Sequence, residues 1–437
     1  MPLALRYRRH REVAQSQKET LLEPRQHLRG TDASVKRTRL LTLLVCASAT
    51  LAAACDATLS MTSTDAHAVG DAGSVDAFSS VDAFALGVDA PLPDAPGGSS
   101  TVGVFVASGH VGRTIVSCDD GRSWNHDQTE AFVDEMGAPY PTITRCFDSG
   151  MECDHHPGST KGVIYARSWF FRTTGWGPGG HITRSRNGIA WESLTERTTF
   201  GGLAHDGTST LIAGARTPQR STNEGMTLGP SENEAISGWN VRRTAHVGGP
   251  SGGLFLIVGN DGTEVGLSND GLRWRAPTTI DAACGRGIQG QGGIARVGDV
   301  IVMAGGESSV CRSTNEGVTW TLHTLPDGAR ASSSALIATG SEFMMWSVGA
   351  VLRSTDGMTW TRTPTEPSIE VGAVARSPEG TFVAVRGGWN HWYGDQVFYR
   401  STDGVRWETL DLAAAPQGHP ISWIAYGNVD APLACRD

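Results

Sequence analysis

An eight-residue phrase, RSTDGMTW, stands at residues 353–360 and returns with two changes at 400–407. Five looser copies precede them: SCDDGRSW at 117–124, SRNGIAW at 185–191, STNEGMTL at 221–228, SNDGLRW at 268–274 and STNEGVTW at 313–320. Their glycines fall at 121, 188, 225, 271, 317, 357 and 404, so the copies lie 37 to 47 residues apart after a first interval of 67. A supersecondary unit that recurs at this period cannot bury its apolar face alone. It has to stack on its neighbours, which restricts the chain to a repeat architecture.

The chemistry of each copy is that of a tight turn. A short Asp or Asn side chain accepts hydrogen bonds from backbone N–H groups just ahead of it, and Gly takes φ > 0 without steric cost. Alternating segments flank the turns, VFYRS and AVLRS before, WETLDL and WTLHTL after. These read as hairpin strands, with Trp opening the outgoing one. Two more apolar runs precede each turn, such as SALIATG or VGAVARS and then VIVMAGG or FVAVRGG, so each repeat predicts four strands. No sustained helical periodicity follows residue 100.

The phrases resemble the Asp-box, or BNR, repeat, Ser-x-Asp-x-Gly-x-Thr-Trp, of sialidases, some xyloglucan-cleaving glycosidases, sortilin-type receptors and photosystem assembly factors. Ser117, Asp119, Gly121, Ser123 and Trp124 match it, as do Ser313, Asn315, Gly317, Thr319 and Trp320; the third copy has Leu228 in place of Trp. The resemblance covers residues 101–437. It implies a β-propeller in which each box closes the hairpin between the third and fourth strands of a blade. It also implies that Asp119, Asn187, Asn223, Asp270, Asn315, Asp356 and Asp403 are structural, and that any ligand binds on the opposite face.

The count of strands predicts how the ring closes. Only TVGVFVASGHVGRTIV precedes the first box, enough for two strands, while PISWIAYGNVD follows the last with no blade after it. The C-terminal strand is expected to complete the first blade, which removes exposed sheet edges. The expected fold is all-β, a seven-bladed propeller of four-stranded blades. The wide first interval predicts an insertion around 126–162.

The head of the chain reads differently. KRTRLLTLLVCASATLAAAC at 36–55 has a basic start, a short apolar core and small residues before a cysteine, the pattern of a secretory signal. LAAAC resembles a bacterial lipobox, which implies cleavage before Cys55 and lipidation of its sulfur. Residues 1–34 are expected to reflect a mis-assigned start, 35–54 the signal, and 55–100, rich in Asp, Ala and Ser, a disordered acidic tether. This predicts a lipid-anchored protein of a bacterial cell envelope, periplasmic or on the surface. The chain carries a formal charge of −9, and residues 55–437 hold 26 basic against 41 acidic side chains with Lys161 as the one lysine. No basic cluster suits nucleic acid. Membrane contact is expected through the anchor only, and the protein is expected to be a monomer.

An even set of cysteines in an exported chain suggests disulfides. Cys284 and Cys311 are expected to share a blade. Cys118 and Cys435 fall in the two halves of the closing blade, and Cys146 and Cys153 remain as a local pair. CDHHPG at 153–158 raises zinc as an alternative there, but adjacent histidines lack the usual ligand spacing, so no metal and no cofactor are expected.

On the face opposite the boxes, three segments are long: 125–141, 167–181 and the stretch following Arg386. Strand order puts them on neighbouring blades. Together they carry Trp176, Trp389, Trp392, Tyr393, His391, Asp395, Glu130, Asp134 and Glu135. Aromatic rings beside carboxylates suit sugars, whose C–H faces stack while their hydroxyls bind oxygen. Glu130, Trp176, Trp389, His391, Trp392, Tyr393 and Asp395 are the expected ligand-binding residues. A glycosidase would need two carboxyl groups at a set separation, for which Asp134, Glu135 and Asp395 are the candidates. The Phe-Arg-Ile-Pro motif and arginine triad of the sialidases are not found. The reading is a non-enzymatic binding propeller whose ligand is a glycan or a surface protein. A glycoside hydrolase and a protein-binding scaffold similar to the photosystem assembly factors are the alternatives.

Overall fold

A computed structural model describes residues 100–437 apart from 131–158, 176–179, 196–199, 233–235, 242, 250–251, 260, 286–289, 306–307, 331–334, 387–396, 412–420, 432, 434 and 436–437. The described residues form seven sheets. Six have four strands and one has five. The fold is a seven-bladed β-propeller, and the ring closes as the strand count predicts. Ile421–Asp430 pairs antiparallel with Thr101–Gly109, from Thr101 opposite Asp430 to Ser108 opposite Trp423, and becomes the innermost strand of blade one. Thr114–Ser117 and Asn125–Gln128 complete that blade.

The innermost strands of blades two to seven are Ser159–Ala166, Leu203–His205, Arg243–Val247, Ile294–Val297, Leu336–Ala338 and Val371–Arg376. Blade four gains a short fifth strand, Gly290–Gln291, running parallel to Arg243–Val247. Each sheet lies between two others, so inner strands are apolar on both faces. Leu254–Val258 is buried at all five positions. Outer strands border solvent and are polar, as Thr321–Thr324 and Thr361–Pro364 show. The apolar layers therefore sit between blades: one joins Val383 and Phe398 of blade seven to Val104 and Val116 of blade one and Phe170 of blade two.

Two expectations change in detail. Cys284 bonds Cys311, with Cα atoms 5.5 Å apart, but the two do not share a sheet. Cys284 sits on a helical turn, Ala282–Gly285, in the connection from blade four to blade five, and Cys311 lies on the third strand of blade five. The spacing of the boxes does not mark where a connection ends, so the sequence reading put both in one blade. The insertion in the first interval is also narrower than 126–162, because the strands Asn125–Gln128 and Ser159–Ala166 take up both of its ends. Cys118 and Cys435 are joined as expected, with Cα atoms 6.3 Å apart. Cys146 and Cys153 lie outside the described residues.

Candidate ligand-binding face

Strand direction sorts the loops. The boxes and the hairpins between first and second strands lie on one face. The hairpins between second and third strands and the blade-to-blade connections lie on the other.

On the box face, the turn side chains are committed to their own turns. In the sixth copy, the Asp356 Oδ1 accepts from the N–H of Met358 at 2.8 Å, the N–H of Thr359 at 2.7 Å and the Ser354 hydroxyl at 2.9 Å. The Gly357 N–H donates to Ser354 Oγ at 2.8 Å, and Trp360 Nε1 donates to the Gly357 carbonyl at 3.3 Å. Asp119, Asn187, Asn223, Asp270, Asn315 and Asp403 accept equivalent backbone N–H bonds at 2.7–3.0 Å. The hydrogen bonds from Thr359 and Met358 hold the Asp356 carboxyl down at about 2. At Asp119, Asp270 and Asp403 burial pushes the pKa up, but hydrogen bonds outweigh it and leave each below its usual value. The box glycines have φ between +69° and +82°. A Cβ at Gly121 would strike Val383 of blade seven, and one at Gly271 would strike Ile212 of blade three, so each box also forms the seam with the preceding blade.

Arginines fasten these seams. The residue before the box Ser is Arg in five repeats, and its guanidinium reaches the carbonyl just before the box Gly of the next blade. Arg184 donates to Glu224 O at 2.8 Å, Arg220 to Asp270 O at 2.8 Å, Arg312 to Asp356 O at 2.6 Å, Arg353 to Asp403 O at 2.8 Å and Arg400 to Asp120 O at 2.7 Å.

On the opposite face, charged groups gather where blade one meets blade two. The fully buried Arg113 forms a bidentate pair with Asp127, Nε to Oδ1 at 2.8 Å and a terminal nitrogen to Oδ2 at 2.7 Å. Arg172, fully buried on Trp169–Gly175, donates to Gly112 O at 2.6 Å and Thr114 Oγ1 at 2.6 Å, and its guanidinium lies 4.3 Å from the Trp191 ring centre. Burial pulls its pKa down to about 9, so it stays charged at neutral pH. Glu130, where the chain leaves blade one, pairs with Arg172 and lies 2.9 Å from His181 Nε2. His181 Nδ1 is 3.1 Å from Thr174 Oγ1. The Glu130 carboxylate is thus an oriented, neutralised acceptor, one-fifth exposed at 22%.

Of the predicted ligand-binding residues, Glu130 alone is placed. Trp176, Trp389, His391, Trp392, Tyr393, Asp395, Asp134 and Glu135 lie outside the described residues. The flanks of those segments are placed: Glu130 and Ser159, Gly175 and Gly180, Arg386 and Val397 mark strand ends or turns on the face away from the boxes. Sequence reasoning missed the Arg172–Glu130–His181 cluster because its members come from two blades and no local spacing links them. Among the described residues, no group of three or more His, Cys, Asp or Glu side chains could hold a metal ion.

Residues 268–430 match the family of the DUF6242 beta propeller domain. No curated protein sequence matches the chain. Among solved structures, YCF48 from Cyanidioschyzon merolae is 16% identical, with 59% of this chain and 86% of that one covered and a TM-score of 0.44. A catalytically inactive virginiamycin B lyase from Staphylococcus aureus, with quinupristin, is 12% identical over 63% of this chain and 93% of that one, TM-score 0.46. The GH74 enzyme of Niastella koreensis is 16% identical over 60% of this chain and 38% of that one, TM-score 0.41.

Proposed function

We propose that this chain is a non-enzymatic binding propeller, exported and lipid-anchored through Cys55, that takes a carbohydrate on the face away from the boxes. The observation that carries the reading is the state of Glu130. A carboxylate whose oxygens face a buried guanidinium and an imidazole is fixed in direction as an acceptor. That suits an acceptor of sugar hydroxyl protons, whereas a general acid needs a carboxyl free to hold and give a proton. The ring-bearing segments with Trp176, Trp389, Trp392 and Tyr393 begin and end on the same face, on blades two and seven beside blade one.

The test is a glycan array probed with the purified chain, alongside reducing-sugar release. The expected result is binding to a restricted set of glycans, weakened at least about tenfold in Glu130→Gln by loss of a charged hydrogen bond, with no sugar released. Glycan release that falls in Asp134→Asn, Glu135→Gln or Asp395→Asn would establish the hydrolase instead. An array with no bound glycan would sink the carbohydrate reading and leave a protein partner.

A further inference from the structure

The residue after the box Gly is apolar in six of the seven boxes: Ile189, Met226, Leu272, Val318, Met358 and Val405, with Arg122 in the first. The turn does not require this. Arg122 holds the position in a box whose Ser117, Asp119 and Trp124 hydrogen bonds are all in place. Nor does the core take these side chains up. Met226 is 57% exposed, Val318 48% and Met358 49%, while Ile189, Leu272 and Val405 are half-buried. Each box closes the same hairpin of its blade, so the ring sets these side chains at equivalent positions around one face.

Among the described residues, the other exposed large apolar side chains are Leu322, Val348 and Leu433. Leu322 lies on the strand that leaves the fifth box. Leu433 belongs to the box face as well. Asn187 of the second box donates to its carbonyl at 3.3 Å, and Cys435, two residues on, is bonded to Cys118 of the first box. Val348 sits in the hairpin between the second and third strands of blade six, on the opposite face.

The chain enters the propeller on the box face too. The closing strand runs toward that face, as the first strands of the other blades do. Thr101 stands opposite Asp430 at its end, and the Ser100 carbonyl accepts from the Ala431 N–H at 2.8 Å. The segment that begins at Cys55 therefore reaches the propeller from this side.

We propose that the box face rests on a lipid bilayer, with the apolar box tips and Leu433 in the headgroup layer and the face that holds Glu130 turned away from it. Apolar side chains repeated on one face, which neither turn nor core requires, mark a surface for a protein or a membrane. The choice of lipid rests on the reading of Cys55 as lipidated, because the anchored segment arrives at this face. The headgroup layer is polar, so Thr227, Thr319 and Arg406 beside the tips stay solvated in it. Charge does not drive the contact. Residues 55–437 hold 26 basic against 41 acidic side chains, so neutral lipid suits this face as well as anionic lipid does.

The test uses residues 56–437, which lack the signal and Cys55 and keep a ring that closes within residues 101–430, with phosphatidylcholine vesicles as the probe. The protein should sediment with the vesicles. Met226→Gln, Val318→Gln and Met358→Gln combined should lower its partition by about tenfold or more through loss of buried apolar area, and Arg122 shows that the turn accepts a polar residue there. A fluorescent label on Met358→Cys should be quenched by nitroxide lipid. The same label on Val348→Cys, on the other face of the same blade, should not. Absence of vesicle binding would overturn the proposal, and so would equal quenching at the two positions. A dimer seen by light scattering without vesicles, and broken by the triple substitution, would give the face to a second copy and overturn it too. The anchor is judged separately, by the mass of the N-terminal peptide of the membrane-extracted protein. An unmodified Cys55 would remove the lipid-anchor reading, while the vesicle measurements would still decide the box face.

Discussion

Arg400 of blade seven donates from Nε to the backbone carbonyl of Asp120 in blade one at 2.7 Å and pairs with the Asp120 carboxylate. This is the arginine fastening of the other seams, placed where the ring closes. It gains a charge pair from the extra acidic residue before the box Gly, as the seam of blades two and three does where Arg184 lies 3.8 Å from the Glu224 carboxylate. Thr381 also donates to the Asp120 carboxylate at 2.8 Å. Loss of Arg400 removes donors from a partly buried acceptor. Arg400→Met is expected to cost about 1.5–3 kcal/mol, the range for hydrogen bonds to charged groups, read as a lower urea midpoint. A cost no greater than that of a surface substitution would show that this seam does not need its arginine.

Closure also depends on the last strand. Removing residues 421–437 strips blade one of its innermost strand and leaves Thr101–Gly109 with an unpaired edge. The truncated chain is expected to lose its sharp calorimetric transition. A transition as sharp and as high as that of the intact chain would contradict the closed ring.

The disulfide between Cys118 and Cys435 spans 317 residues and joins the third strand's box to the segment after the closing strand. A cross-link of that span restricts the unfolded chain more than the 27-residue link between Cys284 and Cys311 does. Replacing Cys118 by Ser should destabilise by about 2–4 kcal/mol, and Cys284→Ser by less, in thermal melts run without reductant. The reverse order would point to native-state packing as the main contribution.

The boxes and the closing strand were legible because their chemistry is local. Asp403 binds the N–H groups of Val405 and Arg406, two and three residues on, so the requirement is written within eight residues and written seven times. The arginine seams were not legible: Arg precedes the box Ser in five copies, but the partner of Arg353 is the carbonyl of Asp403, a full repeat away, and nothing near Arg353 names it. Arg172 looked like one arginine among many. Its role emerges only when blade packing brings Gly112, Thr114 and Glu130 around it.

Acid should unfold the chain in two stages. His246 is pushed from 6.5 to about 4 by burial, so the unfolded state binds the extra proton between those values. Its contribution is complete above pH 6.5 and is lost as pH falls toward 4. Asp356 is held at about 2 against an ordinary 3.8, so its contribution persists above 3.8 and is lost as pH falls toward 2. Asp119, Asp270 and Asp403 are lowered too and should add to the second stage. Asp356→Asn keeps the acceptor oxygen, as Asn187, Asn223 and Asn315 do in their own boxes. It should fold normally and melt with a shallower dependence between pH 4 and 2. An unchanged slope would remove the box carboxylates as the source of the acid sensitivity.

The cluster at blades one and two makes the last prediction, because its members constrain one another. Arg172→Met leaves the Glu130 carboxylate with His181 alone and strips the Gly112 carbonyl and Thr114 hydroxyl of a buried donor. Breaking a buried pair by removing one partner costs about 3–5 kcal/mol. Adding Glu130→Gln removes the stranded charge, so the double variant should be more stable than Arg172→Met by itself. Glu130→Gln alone should be mild, since a neutral amide still accepts from Arg172 and the side chain reaches solvent. Urea unfolding of the three variants measures the coupling. If the two substitutions simply add, Arg172 holds the blades together without regard to Glu130, and the carboxylate is not the oriented acceptor that ligand binding on this face requires.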